Sequence, residues 1–399
     1  MFYRTPLDIR VSIDVGCKSH QVAVGLSTGE FLEEFSITHQ PEGFRLFFTK
    51  LEKLEQQYQC PVRVAMEGYN GYARPLDSMV LARGWQLNNI NNLKLARFKE
   101  IFPGAAKSDV IDARRGLELF QLMDHLPTAK KVLQVVAEPP RENQILKRLS
   151  RRRRRLVNER VRILNNLQAD LQAVCPSLLA LTGDAGNYWF LQLLTHSDDL
   201  RKLVRLHLKS LRKIPGIGAA YASRVQQWQK QAQFSAETEW VGEMIQQDAA
   251  RILELHNQIK TLEAKMAAAA AQSKLAGLLA TIPGFGPICT AEVVGEIGHE
   301  GRFAKESSLA LYLGMAILDN SSGQYQGTKI PRQINSRAKA AMMTAVDRHR
   351  KQIPASQRYY EKKRAEGKGH NQAIRALGRH LCRIIFRMFK EQRPYMPPN

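Results

Sequence analysis

The sequence has no long hydrophobic run and few cysteines. No apolar stretch of the 399-residue chain approaches the roughly 20 residues that cross a bilayer, and the most uniform segment, residues 267–271, is short. The first residues, MFYRTPLDIRVSIDVG, lack the basic and apolar segments of a signal peptide. The five cysteines are scattered, which excludes a C-x-x-C zinc or redox site. We therefore expect a protein of the reducing cytoplasm rather than a membrane or secreted protein.

Negative charge is scarce in two parts of the chain. The 59 Lys+Arg and 37 Asp+Glu residues give a formal charge of +22, and residues 141–169 and 301–399 together hold the whole excess. Self-repulsion makes such concentrations of charge unfavourable unless a polyanion offsets them. Neutralisation of phosphates by Lys and Arg is the main source of sequence-independent affinity for nucleic acids. We infer a nucleic-acid partner, and the alternative is a solvated helical face.

The N-terminal third alternates between strand and helix patterns. Hydrophobic content of 44% and charged content of 24% exclude wholesale disorder, and the length predicts two or three domains. Strand patterns occupy residues 10–26 as a hairpin, then residues 30–38, 62–66 and 85–90; helical patterns occupy residues 41–58, 75–83 and 108–123. Three strands, helix, strand, helix, strand and helix is the order of a ribonuclease-H-like α/β domain.

Two long helical patterns follow a Pro-Pro pair at residues 139–140. Residues 141–174 are polar and basic, with apolar residues near heptad spacing, and residues 237–279 repeat that spacing. They predict extended helices that pair either with each other, as a helical hairpin, or with a second chain, as a coiled coil. We therefore predict α/β plus all-α architecture in three domains: residues 1–138, the helical linker 139–275, and 276–399.

A short motif occurs twice. LRKIPGIG at residues 211–218 is echoed by LATIPGFG at residues 279–286, and a helical pattern follows each copy. An apolar-Pro-Gly-x-Gly turn between two helices resembles the helix-hairpin-helix motif. The glycines Gly216, Gly218, Gly284 and Gly286 would let backbone N–H groups at a helix N-terminus approach a phosphate. The alternative is a tight turn in which the glycines serve geometry alone.

Four carboxylates fall at related places in the α/β pattern. Asp14 ends the first predicted strand and Glu67 the fourth, while Asp109 and Asp112 open a helix with i, i+3 spacing. If the two strands are neighbours, all four converge at one edge of the sheet and form an oxygen-rich site suited to Mg²⁺, with Mn²⁺ as the alternative. Each carboxylate also has a plain structural explanation, such as a favourable charge in a first helical turn.

The last helical pattern, residues 371–390, carries a basic stripe. Arg375, Arg379, Arg383 and Arg387 follow one another at i, i+4 steps opposite an apolar face. We expect this stripe to track phosphates, and the alternative is a plain amphipathic helix.

These motifs resemble the insertion-sequence-110 transposases, a family of bridge-RNA-guided DNA recombinases, over nearly the whole chain. The pattern K-x-D-x-x-D-A at residues 107–113 resembles part of the family's D-E-D-D tetrad. IPGFGPICTAEVVGEIG at residues 282–298, the F…L-A-x-Y-L-G pattern at residues 303–314 and Ser-Ser-Gly at residues 321–323 resemble its C-terminal transposase domain.

The resemblance implies a RuvC-like N-terminal domain and a serine nucleophile in the C-terminal domain. The tetrad maps onto Asp14, Glu67, Asp109 and Asp112, and the serine onto Ser322, with Ser321 as the alternate. The implied partners are donor and target double-stranded DNA, a structured guide RNA, and further copies of the chain in a dimer or tetramer. The linker arginines Arg151, Arg152, Arg153, Arg154 and Arg155 are candidates for contacts to the RNA or DNA backbone.

The segment after the serine departs from the family pattern G-x-I-x-K-x-G-N-x-x-L-R. Arg332 stands in place of the lysine, Ile334 in place of the glycine and Lys339 in place of the final arginine, while Asn335 is kept. Positive charge is thus preserved for nucleic-acid contact, but Ile334 cannot adopt a glycine-only conformation cheaply.

We therefore expect an insertion-sequence transposase, a cytoplasmic enzyme of the prokaryotic nucleoid that cleaves and exchanges DNA strands. One rival function is a metal-dependent Holliday-junction or structure-selective endonuclease, in which Ser322 is only a turn residue. A second rival is a nucleic-acid-binding scaffold without chemistry.

Overall fold

The fold divides the chain into two units. The computed structural model describes residues 7–67, 73–101, 108–123, 132–329, 331 and 334–397. One unit comprises Met1–Glu138 and the other Pro139–Asn399. The first is mixed α/β and the second is mostly helical.

A six-stranded sheet forms the first unit. Its elements are β1 (Ile9–Val15), β2 (Ser19–Leu26), β3 (Phe31–Thr38), α1 (Pro41–Tyr58), β4 (Val62–Glu67), α2 (Leu76–Ala82), β5 (Gln86–Ile90), α3 (Asn92–Lys99), α4 (Asp109–Leu122) and β6 (Leu133–Val135). The strand order is β3-β2-β1-β4-β5-β6, with β1, β4 and β5 mutually parallel. The predicted elements are therefore present, and helix α3 and the short edge strand β6, which the sequence patterns do not predict, add to them.

The alternation of side chains along β1 assigns one face of the sheet to each layer of helices. Ile9, Val11 and Ile13 are buried in a core that includes the aromatic residues of α1. Arg10 and Ser12 point to the other face, where α4 lies, because successive strand residues alternate between faces.

The second unit contains twelve α-helices and one small hairpin among its described residues. They are α5 (Arg141–Val174), α6 (Pro176–Leu179), α7 (Tyr188–Leu194), α8 (Leu208–Leu211), α9 (Ala219–Gln229), α10 (Thr238–Gln272), α11 (Lys274–Ala280), α12 (Pro287–Ile297), α13 (Glu306–Tyr312), β7 (Leu318–Asp319), β8 (Thr328–Lys329), α14 (Ser336–Gln352), α15 (Pro354–Ala365) and α16 (His370–Glu391).

The two long helices α5 and α10 pack against each other within one chain. Their apolar stripes meet in a core that contains Leu156 and Leu167 from α5 and Ile252 from α10. Arg251 of α10 donates to Glu159 of α5 across the same contact, at 3.1 and 2.5 Å. The chain therefore takes the helical-hairpin alternative for this pair of apolar faces.

The second long helix is shorter than the sequence predicts. It ends at Gln272 rather than at residue 279, because Ser273 accepts a hydrogen bond from the amide of Ala276 and caps a new helix. The Ser273 hydroxyl also donates to the side chain of Asn143 at 2.6 Å. Apolar residues at helical spacing continue across this break, which is why the pattern alone predicts a single helix.

Two hydrophobic cores share α5 along its length. Leu146, near the start of α5, belongs to the core of α11–α16, whereas Leu156 and the later apolar residues belong to the core shared with α10. The five consecutive arginines lie between these two parts. No helix among the described residues is long and apolar enough to cross a membrane.

Candidate functional site

Two of the four predicted carboxylates end neighbouring parallel strands. Ile13 of β1 pairs with Met66 of β4, so the next residues, Asp14 and Glu67, lie together where the two strands end. The sheet order therefore confirms that these strands are adjacent, the condition on which the predicted site depends.

Helix α4 brings the other two carboxylates toward the same edge. A Cβ at Gly116 would lie 2.3 Å from the Ser12 hydroxyl, so the helix rests directly on β1 at this point. Asp14 lies two residues beyond Ser12 on the same strand face, and Asp112 lies one turn before Gly116. Two residues of strand and four of helix each span about 6 Å, which places Asp112 level with Asp14.

The carboxylates influence one another electrostatically. Burial raises the pKa of Asp14 to about 6, and the neighbouring charges of Asp112, Asp109 and Glu67 add to this effect. Lys99 opposes them, and its Nζ lies 3.0 Å from Oδ1 of Asp112. The four predicted residues thus form one acidic cluster, with Lys99 as its cationic neighbour.

The cluster fits a divalent cation in its chemistry. Clustered carboxylate oxygens are the ligands that Mg²⁺ and Mn²⁺ prefer, and a bound cation would relieve the repulsion that raises the pKa of Asp14. As the described side chains stand, no three carboxylate, imidazole or thiol groups surround one point.

The predicted serine lies on the exposed turn of the small hairpin. Ser322 and Tyr325 exchange backbone hydrogen bonds of 2.9 and 3.0 Å, and Gly323 between them has a φ of +55°. Both serines are exposed, but the Ser321 hydroxyl donates to Oδ1 of Asp319 at 2.6 Å, whereas no described side chain binds the Ser322 hydroxyl. The two serines therefore differ: one is held by a carboxylate and the other is open to an incoming group.

The arginine run on α5 divides into two groups. Arg151 binds both carboxylate oxygens of the buried Glu296 on α12, at 2.7 and 2.8 Å. Arg154 contacts Glu292, one turn earlier on α12, at 2.7 Å, whereas Arg153 donates to Glu263 of α10 at 2.7 Å and lies 3.7 Å from Glu292. Arg152 and Arg155 are exposed. Three of the five arginines thus pair with carboxylates of α10 and α12, and two face solvent.

Glu296, the buried carboxylate that binds Arg151, also contacts the segment that follows the serine. Asn335 donates to Oε2 of Glu296 at 2.7 Å, and its side-chain oxygen caps α14 by accepting from the amides of Arg337 and Ala338. Burial raises the pKa of Glu296, but the hydrogen bonds from Arg151 and Asn335 outweigh this effect and hold it below its ordinary value. Glu296 is therefore an ionised, fully partnered link between three helices.

The two repeated turns have the same backbone but different surroundings. Gly216 and Gly284 have φ values of +83° and +92°, and Ile217 and Phe285 close equivalent hydrogen bonds to Ile214 and Ile282.

The two copies of the turn differ in what surrounds their glycines. A Cβ at Gly284 would lie 2.4 Å from the His349 amide of α14, so close helix packing explains this glycine. Gly286 lies near the Arg348 guanidinium, with 3.5 Å between it and the added Cβ. Gly218 faces open space, and the first turn is exposed together with Arg212 and Lys213. The first copy is therefore the one open to a phosphate.

The basic stripe of α16 is partly neutralised within the fold. Arg379 forms an ion pair with Glu306 of α13, with one contact at 2.7 Å, and Arg383 lies 3.9 Å from the same carboxylate. Arg375 is half-buried and forms no ion pair with a described carboxylate. The predicted Arg332 lies outside the described residues, as does Lys107 of the K-x-D-x-x-D-A pattern.

Comparison with known families identifies the class of enzyme. A family model described as a transposase, of the DEDD type of IS110 elements, matches residues 11–176. A second model, described as "Transposase IS116/IS110/IS902 family", matches residues 276–361. The chain belongs to the IS110 family of transposases. It is a DNA transposase or recombinase enzyme, and the acidic cluster lies within the DEDD match.

Relatives of similar length support this assignment. The chain is 24% identical over 399 residues to the "Insertion element IS110 uncharacterized 43.6 kDa protein" of Streptomyces coelicolor, covering 98% of this chain and 96% of that protein. It is 23% identical over 393 residues to the "Insertion element IS116 uncharacterized 44.8 kDa protein" of Streptomyces clavuligerus, covering 94% and 96%. A Mycobacterium paratuberculosis relative, "Insertion element IS900 uncharacterized 42 kDa protein", is 30% identical over 151 residues, covering 37% and 38%.

The partners of several candidate site residues cannot be identified from the sequence. Lys99 ends α3 without any motif, and its contact with Asp112 depends on packing between two helices. Glu292 and Glu296 lie within a conspicuous motif, yet only the structure shows that they neutralise arginines about 140 residues away. The DEDD domain of this transposase implies a divalent metal ion, typically Mg²⁺, and carboxylate oxygens are ligands of the kind that such an ion prefers.

Proposed function

We propose that the transposase cleaves and exchanges DNA strands with Ser322 as nucleophile, a RuvC-like domain with metal-binding carboxylates, and a structured RNA as guide. The observation that carries the serine assignment is the exposed Ser322 side chain on the turn of a hairpin whose base borders a cluster of cations. Both exposed hydroxyls can reach a DNA phosphate, but the Ser321 hydroxyl is already bonded to Asp319. Ser321 is the alternative nucleophile, with Asp319 placed to accept its proton.

The proposed step conserves the energy of the phosphodiester bond, because one phosphate ester replaces another. The Ser322 oxygen loses its proton and attacks phosphorus, an Oγ–P bond forms, one P–O bond to a DNA sugar breaks, and the leaving oxygen takes up a proton. A hydroxyl of the exchanged strand then reverses the step and releases the serine. Bound to Asp14, Glu67, Asp109 and Asp112, Mg²⁺ or Mn²⁺ would supply charge stabilisation for the phosphate oxygens.

The experiment that tests this step is the capture of a covalent protein–DNA adduct. The full-length transposase, its co-expressed element RNA and labelled donor DNA are mixed with Mg²⁺ and resolved on a denaturing gel. We expect an adduct for the wild type and for Ser321→Ala, and none for Ser322→Ala. The opposite pattern would assign the nucleophile to Ser321.

Metal-dependent hydrolysis by the acidic cluster is the alternative function, and the clustering of four carboxylates favours it independently of the serine. It predicts cleaved DNA without an adduct, in amounts that Ser322→Ala leaves unchanged and Asp14→Asn abolishes. The adduct experiment therefore separates the two functions in one set of reactions.

RNA guidance is supported by the positive surface that remains after internal pairing. Arg152 and Arg155 on α5, and Arg212 and Lys213 beside the first glycine turn, are exposed and available to a nucleic-acid backbone. In this proposal base pairing selects the DNA and the protein holds phosphates. Sequencing the RNA that co-purifies when the gene is expressed with its flanking DNA tests it: one dominant flank-encoded species is expected, and random cellular RNA would contradict it.

The proposal includes a homo-oligomer, a dimer or tetramer, that acts at the nucleoid. Exchange between donor and target DNA needs several cleavage sites in one assembly, because more than one strand is cut. Multi-angle light scattering of the RNA complex should give a mass of two or four chains, and a monomeric complex that still recombines DNA would contradict this part.

A further inference from the structure

A cavity of about 670 Å³ lies at the base of the hairpin that carries Ser322. Ile317, Thr328 and Lys329 line it from the hairpin side, and α16 lines the opposite side. This volume is within the range of about 300–1,000 Å³ that is typical of ligand pockets.

The cations of the cavity outnumber its anions. Its lining includes the cations Lys329, Lys368, Arg375, Arg379 and Arg383 together with the imidazole of His380, and no carboxylate is among the described lining residues. Glu306 and Glu366 pair with three of these cations from outside the lining. Lys329 and Arg375 form no ion pair with a described carboxylate, so positive charge remains for an anion.

One wall of the cavity is apolar. Met315, Ala316 and Ile317, which lead into the hairpin, contribute to it together with Ala376 of α16, one residue after Arg375. Thr328 and Gln372 add hydrogen-bonding groups to the lining. Apolar lining with a few polar groups, next to clustered cations, suits a ligand with one planar ring and one phosphate.

The hairpin sets the distance from this cavity to the serine. Leu318 pairs with Lys329, Asn320 donates to Gly327, and Ser322 pairs with Tyr325, so the hairpin is regular from its base to its turn. Four residues of strand separate Leu318 from Ser322, which is about 13 Å at about 3.3 Å per residue. A strand whose phosphate reaches Ser322 can therefore place a nearby nucleotide in the cavity.

We propose that the cavity binds one unstacked nucleotide of the DNA strand, with its phosphate on Lys329 and Arg375 and its base against Ala376. The inference rests on the proposed function in taking the ligand to be the strand that Ser322 attacks. The pocket would fix the position of that strand relative to the serine.

Binding of a short oligonucleotide tests the pocket without any cleavage. The probe is a fluorescently labelled thymidine tetranucleotide, measured by anisotropy with the full-length protein, and pyrophosphate binding is measured by calorimetry. Arg375→Glu should weaken tetranucleotide binding by about tenfold, because it removes a charged contact and adds a repulsive one. Arg387→Glu, an equal charge change on the same helix outside the cavity lining, should weaken it by less than about twofold.

A second variant tests the base. Ala376→Trp fills the apolar wall and should weaken tetranucleotide binding while leaving pyrophosphate binding unchanged. Thermal unfolding shows whether Arg375→Glu is folded. If it is not, Lys329→Gln, on the hairpin side of the cavity, tests the same charge effect. If Arg375→Glu and Arg387→Glu weakened tetranucleotide binding equally, the protein would have a diffuse charged surface. If Ala376→Trp left tetranucleotide binding unchanged, the cavity would bind phosphate without a base. Either result overturns the proposal.

Two further comparisons distinguish failure of the nucleotide-site proposal from failure of the proposed function. A uridine tetranucleotide that binds while the thymidine one does not would assign the cavity to RNA and overturn the DNA assignment. An adduct at Ser322 together with pocket-independent binding would remove this inference and leave the proposed function. Pocket-dependent binding without any adduct would remove the proposed function and leave the nucleotide site.

Discussion

Asp14 is the carboxylate most affected by its neighbours. Without metal, its ionised form is half-buried beside three other acidic residues, and its pKa is raised to about 6. We expect Asp14→Asn to raise the free energy of unfolding by about 1–2 kcal/mol at pH 8 in metal-free buffer, after allowance for solvent screening. Urea unfolding measures this difference.

Mg²⁺ provides the control for that prediction. Ligands that bind only the folded state raise its stability, so Mg²⁺ should raise the melting temperature of the wild type more than that of Asp14→Asn. A variant that is less stable than the wild type in metal-free buffer would contradict the repulsion on which the site is argued.

His380 reports on the charge of the cavity. Burial lowers its pKa below the ordinary value, and Arg383, Arg379 and Lys363 lower it further. Tyr359 of α15 faces it as well, at 3.0 Å between Oη and Nε2. A bound phosphate stabilises the imidazolium, so pyrophosphate should raise the pKa of His380, and binding should strengthen as pH falls. NMR titration of the imidazole measures this shift, with Arg375→Glu as the control in which it should disappear.

Single residues show what sequence can and cannot predict. Asp14 and Glu67 are predictable because each ends a strand pattern and neighbouring strands share an edge. The partners of Arg151 are not predictable, because Glu296 is 145 residues away and nothing local marks the pair. A count of charges therefore gives the basic character of α5 but not which arginines are free.

Among the structural elements, the two glycine turns differ in role: one glycine serves helix packing and the other is open to nucleic acid. Gly284→Ala should lower the free energy of unfolding by at least about 2 kcal/mol, because φ is positive and the new Cβ meets α14. Gly218→Ala should cost less than about 1 kcal/mol, because space is open there.

Chemical denaturation of both variants checks this contrast, and DNA affinity completes it. The Gly218 variant should bind DNA more weakly, because a methyl group at an exposed helix N-terminus obstructs a phosphate. Equal destabilisation by the two substitutions would contradict the different surroundings of the two turns.

Helix and strand limits follow the strength of local patterns. The sequence predicts α1 and α5 with their observed ends, because proline precedes or opens each one and the apolar spacing is regular. It misses the eight-residue helix α3, and it misses β6, which has three residues, two of them exposed. It also misses the break at Ser273, because a capping serine inside continuing apolar periodicity has no distinct pattern.

For the whole molecule, net charge is a poor guide to the charge available for binding. Arg152 and Arg155 should contribute to salt-dependent DNA affinity, whereas Arg153 and Arg154 should contribute to stability. We expect replacement of the first pair by Gln to reduce the slope of log affinity against log salt by about 2, with little effect on unfolding.

The matched pair of substitutions is the control. Replacing Arg153 and Arg154 by Gln leaves the buried Glu292 carboxylate unpaired and should lower the free energy of unfolding by about 2–4 kcal/mol. The salt slope should change less than in the first pair. If both pairs changed the slope equally, the internal ion pairs would have to open when DNA binds.

The pairing of α5 with α12 also has a consequence for the timing of synthesis. Arg151 leaves the ribosome 145 residues before Glu296. At about 5–20 residues per second, that interval lasts about 7–30 s. During it, Arg151 and Arg154 have no α12 carboxylate to bind, and their charges add to those that Arg152 and Arg155 expose close to the messenger RNA.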